Sequence, residues 1–173
     1  MPLKLLIADD ERLFRQSLRI LLETAKDIKV VAEAADGQEA VVKCRETEPD
    51  IALLDVRMPK MDGIKAAKLI TALSPRTKIL MLSIQDDDEK IASAIKAGAK
   101  GYILKDTDRA EFIEIIRHAH SGKIQLSPYL AQLTSEPLWT MKGRPRMIED
   151  DDSARNINSQ ILSSRFSSWS RKD

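Results

Sequence analysis

Asp9 and Asp10 follow the apolar run "LKLLIA", Asp55 closes "IALLD", Ser83 closes "TKILMLS" and Lys105 closes "KGYILK". Singly, each has an ordinary explanation: an aspartate pair after a strand is usually a turn or a helix cap, and a lone lysine or serine is usually solvated surface. Gathered in one crevice, they amount to chemistry. Three clustered carboxylates raise one another's pKa unless a cation sits among them, and Mg²⁺ suits a few hard oxygens while keeping its waters. A carboxylate can attack phosphorus to give an acyl phosphate, and phosphoryl transfer asks little of a protein beyond charge neutralisation and alignment. In that arrangement Asp55 is the nucleophile, with Mg²⁺, Lys105 and Ser83 each covering one phosphoryl oxygen.

Such a crevice needs elements that bring the five residues together. Apolar runs of strand length recur at 3–8, 28–34, 50–55, 77–83 and 100–105, and between and after them lie stretches with helical spacing. In the first of these, Leu13, Phe14, Leu18, Leu21 and Leu22 read as a stripe packed on a sheet; in the last, Phe112, Ile115, Ile116 and Ala119 do the same. Strands that are apolar nearly throughout are covered on both faces, and strict alternation with helices means parallel pairing through right-handed crossovers. The expected fold is a doubly wound α/β sandwich with a five-stranded parallel sheet over residues 1–122. Asp86 to Asp88 and Asp108 are placed to start helices, and Gly98 and Gly122 to end them. In such sheets ligands gather at the carboxyl ends of the strands, where all five residues fall.

Composition narrows the field further. Of the 173 residues 43% are hydrophobic, enough for a core, and 28 basic against 27 acidic residues leave a net charge of +1, so no global field points to nucleic acid or membrane. The only cysteine, Cys44, falls in a helical stretch; it reads as a buried filler and fits a reducing cytoplasm. No run approaches a membrane span and the N-terminus meets acid too early for a secretory signal, so a cytoplasmic protein is expected.

The blocks "LLIADDERLF", "IALLDVRMPKMDG", "ILMLSI" and "KAGAKGYILKD", in this order and spacing, resemble the receiver domain of bacterial two-component response regulators. The resemblance covers about residues 3–121 and implies a flavodoxin-like sandwich that is a phosphoacceptor in signalling, not an enzyme in the ordinary sense. It implies that Asp55 takes the phosphoryl group from a sensor histidine kinase. Asp9, Asp10, Asp55 and the backbone carbonyl of Arg57 would hold Mg²⁺, Lys105 would bind the phosphoryl group, Ser83 would be the hydroxyl switch and Tyr102 the aromatic that moves with it. A homodimer through the face of the fourth helix, fifth strand and fifth helix fits the same pattern. Asp106 follows the lysine where the family usually has proline, a variant familiar in the branch with a LuxR-type helix-turn-helix output, so the ancestry points to transcription control.

Two other classes fare worse. A haloacid-dehalogenase-like phosphohydrolase would need a second aspartate two residues after the nucleophile, where Arg57 stands, and a flavodoxin-like nucleotide binder would want a Gly- or Ser/Thr-rich loop where "ADDER" offers acid. Residues 123–133 resemble the connecting segment of the LuxR-output branch. Residues 134–173 hold scattered apolar residues, an acidic run and Ser-rich sequence, and read as a poorly ordered tail without a recognisable folded domain. Specific DNA binding by this chain alone is not expected, since operator reading needs a folded recognition helix; "MKGRPRM" reads as a solvated basic linker. The ending "RFSSWSRKD" can be encoded so that the neighbouring frame gives EIFELVAKG, which resembles the opening helix of the LuxR-type output module. His118 and His120 fall on the last helix, remote from the acids, and read as surface or half-buried residues.

Overall fold

Five short strands form one parallel sheet in the computed structural model, which describes residues 1–85 and 87–122. They are β1 (Leu3–Ala8), β2 (Ile28–Ala34), β3 (Ile51–Asp55), β4 (Lys78–Ser83) and β5 (Gly101–Leu104), in spatial order β2-β1-β3-β4-β5. Helices α1 (Arg12–Glu23), α2 (Gly37–Thr47), α3 (Gly63–Leu73), α4 (Asp88–Lys96) and α5 (Arg109–His120) alternate with them. The central strand β3 is buried at every position, as expected of a strand covered on both faces.

Side chains alternate across a strand, so residue parity assigns each position to a layer. Leu5 and Ile7, Ile51 and Leu53, Leu80 and Leu82, and Ile103 pack with Leu18 and Leu22 of α1 and Phe112 and Ile116 of α5. Leu6 and Ala8, Ala52 and Leu54, and Ile79 and Met81 pack on the other side with Cys44 of α2, Ile70 of α3 and Ala94 of α4. Asp9, Asp55 and Lys105 continue the parity of the first layer. Ser83 continues that of the second, and Tyr102 packs against that second cluster.

Register then sets the distances along the sheet edge. Ala8 pairs with Leu54, Asp55 with Leu82, and Ser83 with Leu104, so the next residues of β1, β3 and β5 meet at one edge. Strand order reverses between β1 and β3, and that point opens the crevice.

The helix starts follow capping chemistry. Asp36 accepts from the Glu39 N–H at 2.9 Å, Asp62 from Lys65 at 2.8 Å, Asp87 from Lys90 at 3.2 Å and Asp108 from Ala110 at 2.9 Å. Gly98 and Gly122 follow α4 and α5 with φ of 103° and 79°, the left-handed region that favours glycine. The stripe expected of α1 is narrower than the sequence reading had it. Phe14, Leu18, Leu21 and Leu22 pack on the sheet, whereas Leu13 is 78% exposed. At 3.6 residues per turn Leu13 lies roughly 125° round the helix from the centre of the other four. Cys44 is fully buried, with its Sγ 3.6 Å from Thr77 Oγ1. Among the described residues no helix is long and apolar enough to cross a membrane. The expectations for the connecting segment, the tail and the output module fall outside the described residues.

Candidate functional site

The strand ends converge on a cleft of about 280 Å³ lined by Asp10, Asp55, Arg57, Ser83 and Lys105, with Glu11, Gln85 and Lys90 at its sides. Asp9 lies beneath it, fully buried. One carboxylate oxygen from each of Asp9, Asp10 and Asp55 falls within 4.8 Å of the others. Asp10 is exposed and Asp55 buried, so the cluster opens to solvent on one side.

Lys105 closes the other side. Its ammonium lies 2.7 Å from Asp9 Oδ2 and 3.4 Å from Asp55 Oδ1. The Phe14 ring covers it, with the centroid 4.5 Å from Nζ. Asp9 divides its two oxygens. Oδ1 accepts from the Glu11 N–H at 2.8 Å, fixing the turn that leads into α1. Oδ2 is buried with the lysine as ion-pair partner and no directed hydrogen bond.

This electrostatic arrangement is one that a cation would relieve. Burial pushes the Asp55 carboxyl up to about 6, Lys105 opposes the rise, and the neighbouring charges of Asp9 and Asp10 add to it. Burial works against the Lys105 charge, but Asp9 and Asp55 outweigh it and hold its pKa above the ordinary lysine value. One ammonium therefore pairs with two of the three acids, Asp9 and Asp55. The buried Asp9 oxygen without a directed hydrogen bond, the three converging oxygens and the open side together fit a hard divalent cation that keeps part of its water.

On the opposite side of the sheet edge, Ser83 and Tyr102 meet at one main-chain atom. Ser83 Oγ donates to the Gln85 carbonyl at 3.0 Å, and Tyr102 Oη donates to the same oxygen at 3.2 Å. Ser83 also accepts from the Gln85 N–H at 3.3 Å. The Lys105 N–H donates to the Ser83 carbonyl at 2.8 Å, joining the lysine side of the edge to the hydroxyl side.

The stretch after Asp55 has a structural explanation. The Gly63 N–H donates to the Val56 carbonyl at 3.1 Å. A Cβ on Gly63 would stand 1.9 Å from the Asp55 carbonyl oxygen, so only glycine lets α3 begin against the end of β3. The carbonyl of Met61 takes the Gly37 N–H at 3.0 Å, tying the same loop to the start of α2.

The structure thus gathers Asp9, Asp10, Asp55, Arg57, Ser83 and Lys105 at one cleft and sets Tyr102 beside it. His118 and His120 lie on α5 and do not line the cleft. Phe14 and Arg15 were not foreseen as site residues. Phe14 reads in the sequence as a core position, and it is also that. Arg15 donates to the Asp9 carbonyl at 2.6 Å and pairs with Glu33 at 3.3 Å, bracing the acid-bearing loop from β2. Their signal is their place on the first helical turn after the acidic pair, where the helix still faces the strand end.

The chain matches the family model described as response regulator receiver domain over residues 5–117. It belongs to that family, in the NarL/LuxR branch of the two-component response regulators. It is 42% identical over 135 residues to the transcriptional regulatory protein LnrK of Bacillus subtilis, covering 78% of this chain and 61% of LnrK. It is 40% identical over 122 residues to the oxygen regulatory protein NreC of Staphylococcus epidermidis, covering 70% and 56%. The crystal structure of a LuxR-family two-component response regulator from Aurantimonas sp. SI85-9A1 superposes with a TM-score of 0.71 at 34% identity, covering 76% of this chain and 94% of that one. The chain spans about three fifths of the length of the curated relatives it matches.

Proposed function

We propose that Asp55 is the phosphoacceptor of this receiver and that the chain serves a two-component pathway controlling transcription, with a sensor histidine kinase as donor. The observation that carries this reading is the shared ion site: three converging carboxylates, two of them paired with the one ammonium of Lys105, with an Asp9 oxygen lacking a directed hydrogen bond. Asp9, Asp10, Asp55 and the Arg57 backbone carbonyl would hold Mg²⁺. Bound there, Mg²⁺ neutralises the carboxylates and screens the charge of the incoming phosphoryl group.

The protein's own part is alignment. Asp55 is held rigidly by β3, and its carboxylate oxygen forms the bond to phosphorus as the bond from phosphorus to the donor's imidazole nitrogen breaks. Lys105 shifts from the acids to the new phosphoryl oxygens, a charge-assisted contact. Ser83 turns from the Gln85 carbonyl toward the phosphoryl group, which changes the surroundings of Tyr102 and shifts the equilibrium of the face made by α4, β5 and α5. That face is where a homodimer would form.

The test is intact-protein mass spectrometry after incubation with acetyl phosphate and Mg²⁺. Wild type gains one phosphoryl group and Asp55→Asn gains none; equal labelling of the two would overturn the assignment. Ser83→Ala is expected to accept the group as wild type does and to show a reduced amide chemical-shift response over α4, β5 and α5.

A further inference from the structure

We infer that Phe14 is a positioning residue for the phosphoryl-binding lysine: its ring face holds the Lys105 ammonium in the cleft when both carboxylate partners are committed elsewhere. The inference rests on the proposed role of Lys105. Among the described residues the ammonium meets two carboxylates and one ring: Asp9 at 2.7 Å, Asp55 at 3.4 Å and the Phe14 centroid at 4.5 Å. Two of the three change during the cycle. Asp55 becomes an acyl phosphate, and Asp9 faces the metal. A lysine on a flexible four-carbon stem, released by both, loses its direction.

The ring remains. It carries no charge, so it adds nothing to an acid cluster that is already crowded, and it offers no hard oxygen over which the metal could compete. Its attraction to the ammonium comes from the ring quadrupole and strengthens where water is excluded, and the Lys105 side chain is only 11% exposed. Phe14 is itself fixed, packed against the α1 and α5 layer of the core. A carboxylate at this position would hold the lysine harder in the resting state and contest it with the phosphoryl group. An aliphatic side chain would fill the space without holding the cation.

The experiment measures the apparent dissociation constant of beryllofluoride at saturating Mg²⁺, together with the ε-CH₂ resonance of Lys105 in metal-free protein. Phe14→Leu is expected to weaken beryllofluoride about 3- to 10-fold, the size of a partly desolvated cation–π contact, and to abolish the ring-current displacement of the Lys105 resonance. Phe14→Trp is expected to restore both. In a Lys105→Ala background, Phe14→Leu is expected to have no further effect. Phe14→Met keeps the volume and carries the comparison if Phe14→Leu does not fold. A beryllofluoride affinity unchanged in Phe14→Leu, or an equal loss with and without the lysine, would reduce Phe14 to core packing and overturn the inference. If Lys105→Ala alone leaves the affinity unchanged, the reading of Lys105 itself fails, a result that separates the two.

Discussion

Replacing Asp55 by asparagine is expected to stabilise the metal-free protein at neutral pH while abolishing its phosphorylation. Burial pushes the Asp55 carboxyl up to about 6 from an ordinary 3.8. Between those values the native state holds more protons than the unfolded chain, so stability falls as pH rises through about 4 to 6 and stays low above it. That sign is opposite to the usual salt-bridged aspartate. At full strength the gap corresponds to about 3 kcal/mol. Water and salt at the cleft mouth screen it, leaving about 1–2 kcal/mol, or about 3–8 °C in Tm for a domain of this size. Urea unfolding in the presence of a chelator reads it as a shift in midpoint at constant slope. Asp55→Asn is expected above wild type by that amount at pH 7.5, with the two converging near pH 4. Mg²⁺ at ten times its dissociation constant then stabilises wild type by about 1.4 kcal/mol and narrows the difference. A variant less stable than wild type at pH 7.5 without metal, or a difference that ignores pH, would refute the reasoning.

Two further substitutions separate positioning from stability. Gly63→Ala places a methyl group 1.9 Å from the Asp55 carbonyl oxygen; it is expected to cost more than about 2 kcal/mol in urea unfolding and to weaken Mg²⁺ binding in a fluorescence titration, and wild-type values for both would count against the close approach. Asp36→Ala removes the cap of α2 and is expected to cost about 1 kcal/mol with the acetyl phosphate labelling rate unchanged, because Asp36 does not line the cleft.

The layers of this fold were legible because parity and apolar content agree along every strand. Strands β1 and β2 begin and end where the sequence pattern puts them, and β3, β4 and β5 differ by a residue at one or both ends. The acids, the serine and the lysine were legible because each is a polar residue ending an apolar run. Leu13 was misread because a list of apolar positions does not weigh angle, and one residue at the wrong angle faces water. Phe14 was hidden for a different reason. A residue that packs in the core and also touches the site satisfies the hydrophobic pattern completely, so nothing in the sequence marks its second contact. The closeness of Gly63 to Asp55 was equally invisible, since a glycine that starts a helix is ordinary until the strand behind it is in place.

The hydroxyls of Ser83 and Tyr102 share a main-chain oxygen of residue 85. A codon change at 85 alters what lines the cleft and leaves that oxygen in place, so genetic drift there does not disconnect the two hydroxyls. Insertions and deletions between β4 and α4 do, because they move the carbonyl itself. Descendants of this chain are therefore free to diversify residue 85 by substitution, while the length of that loop is the quantity selection has to guard.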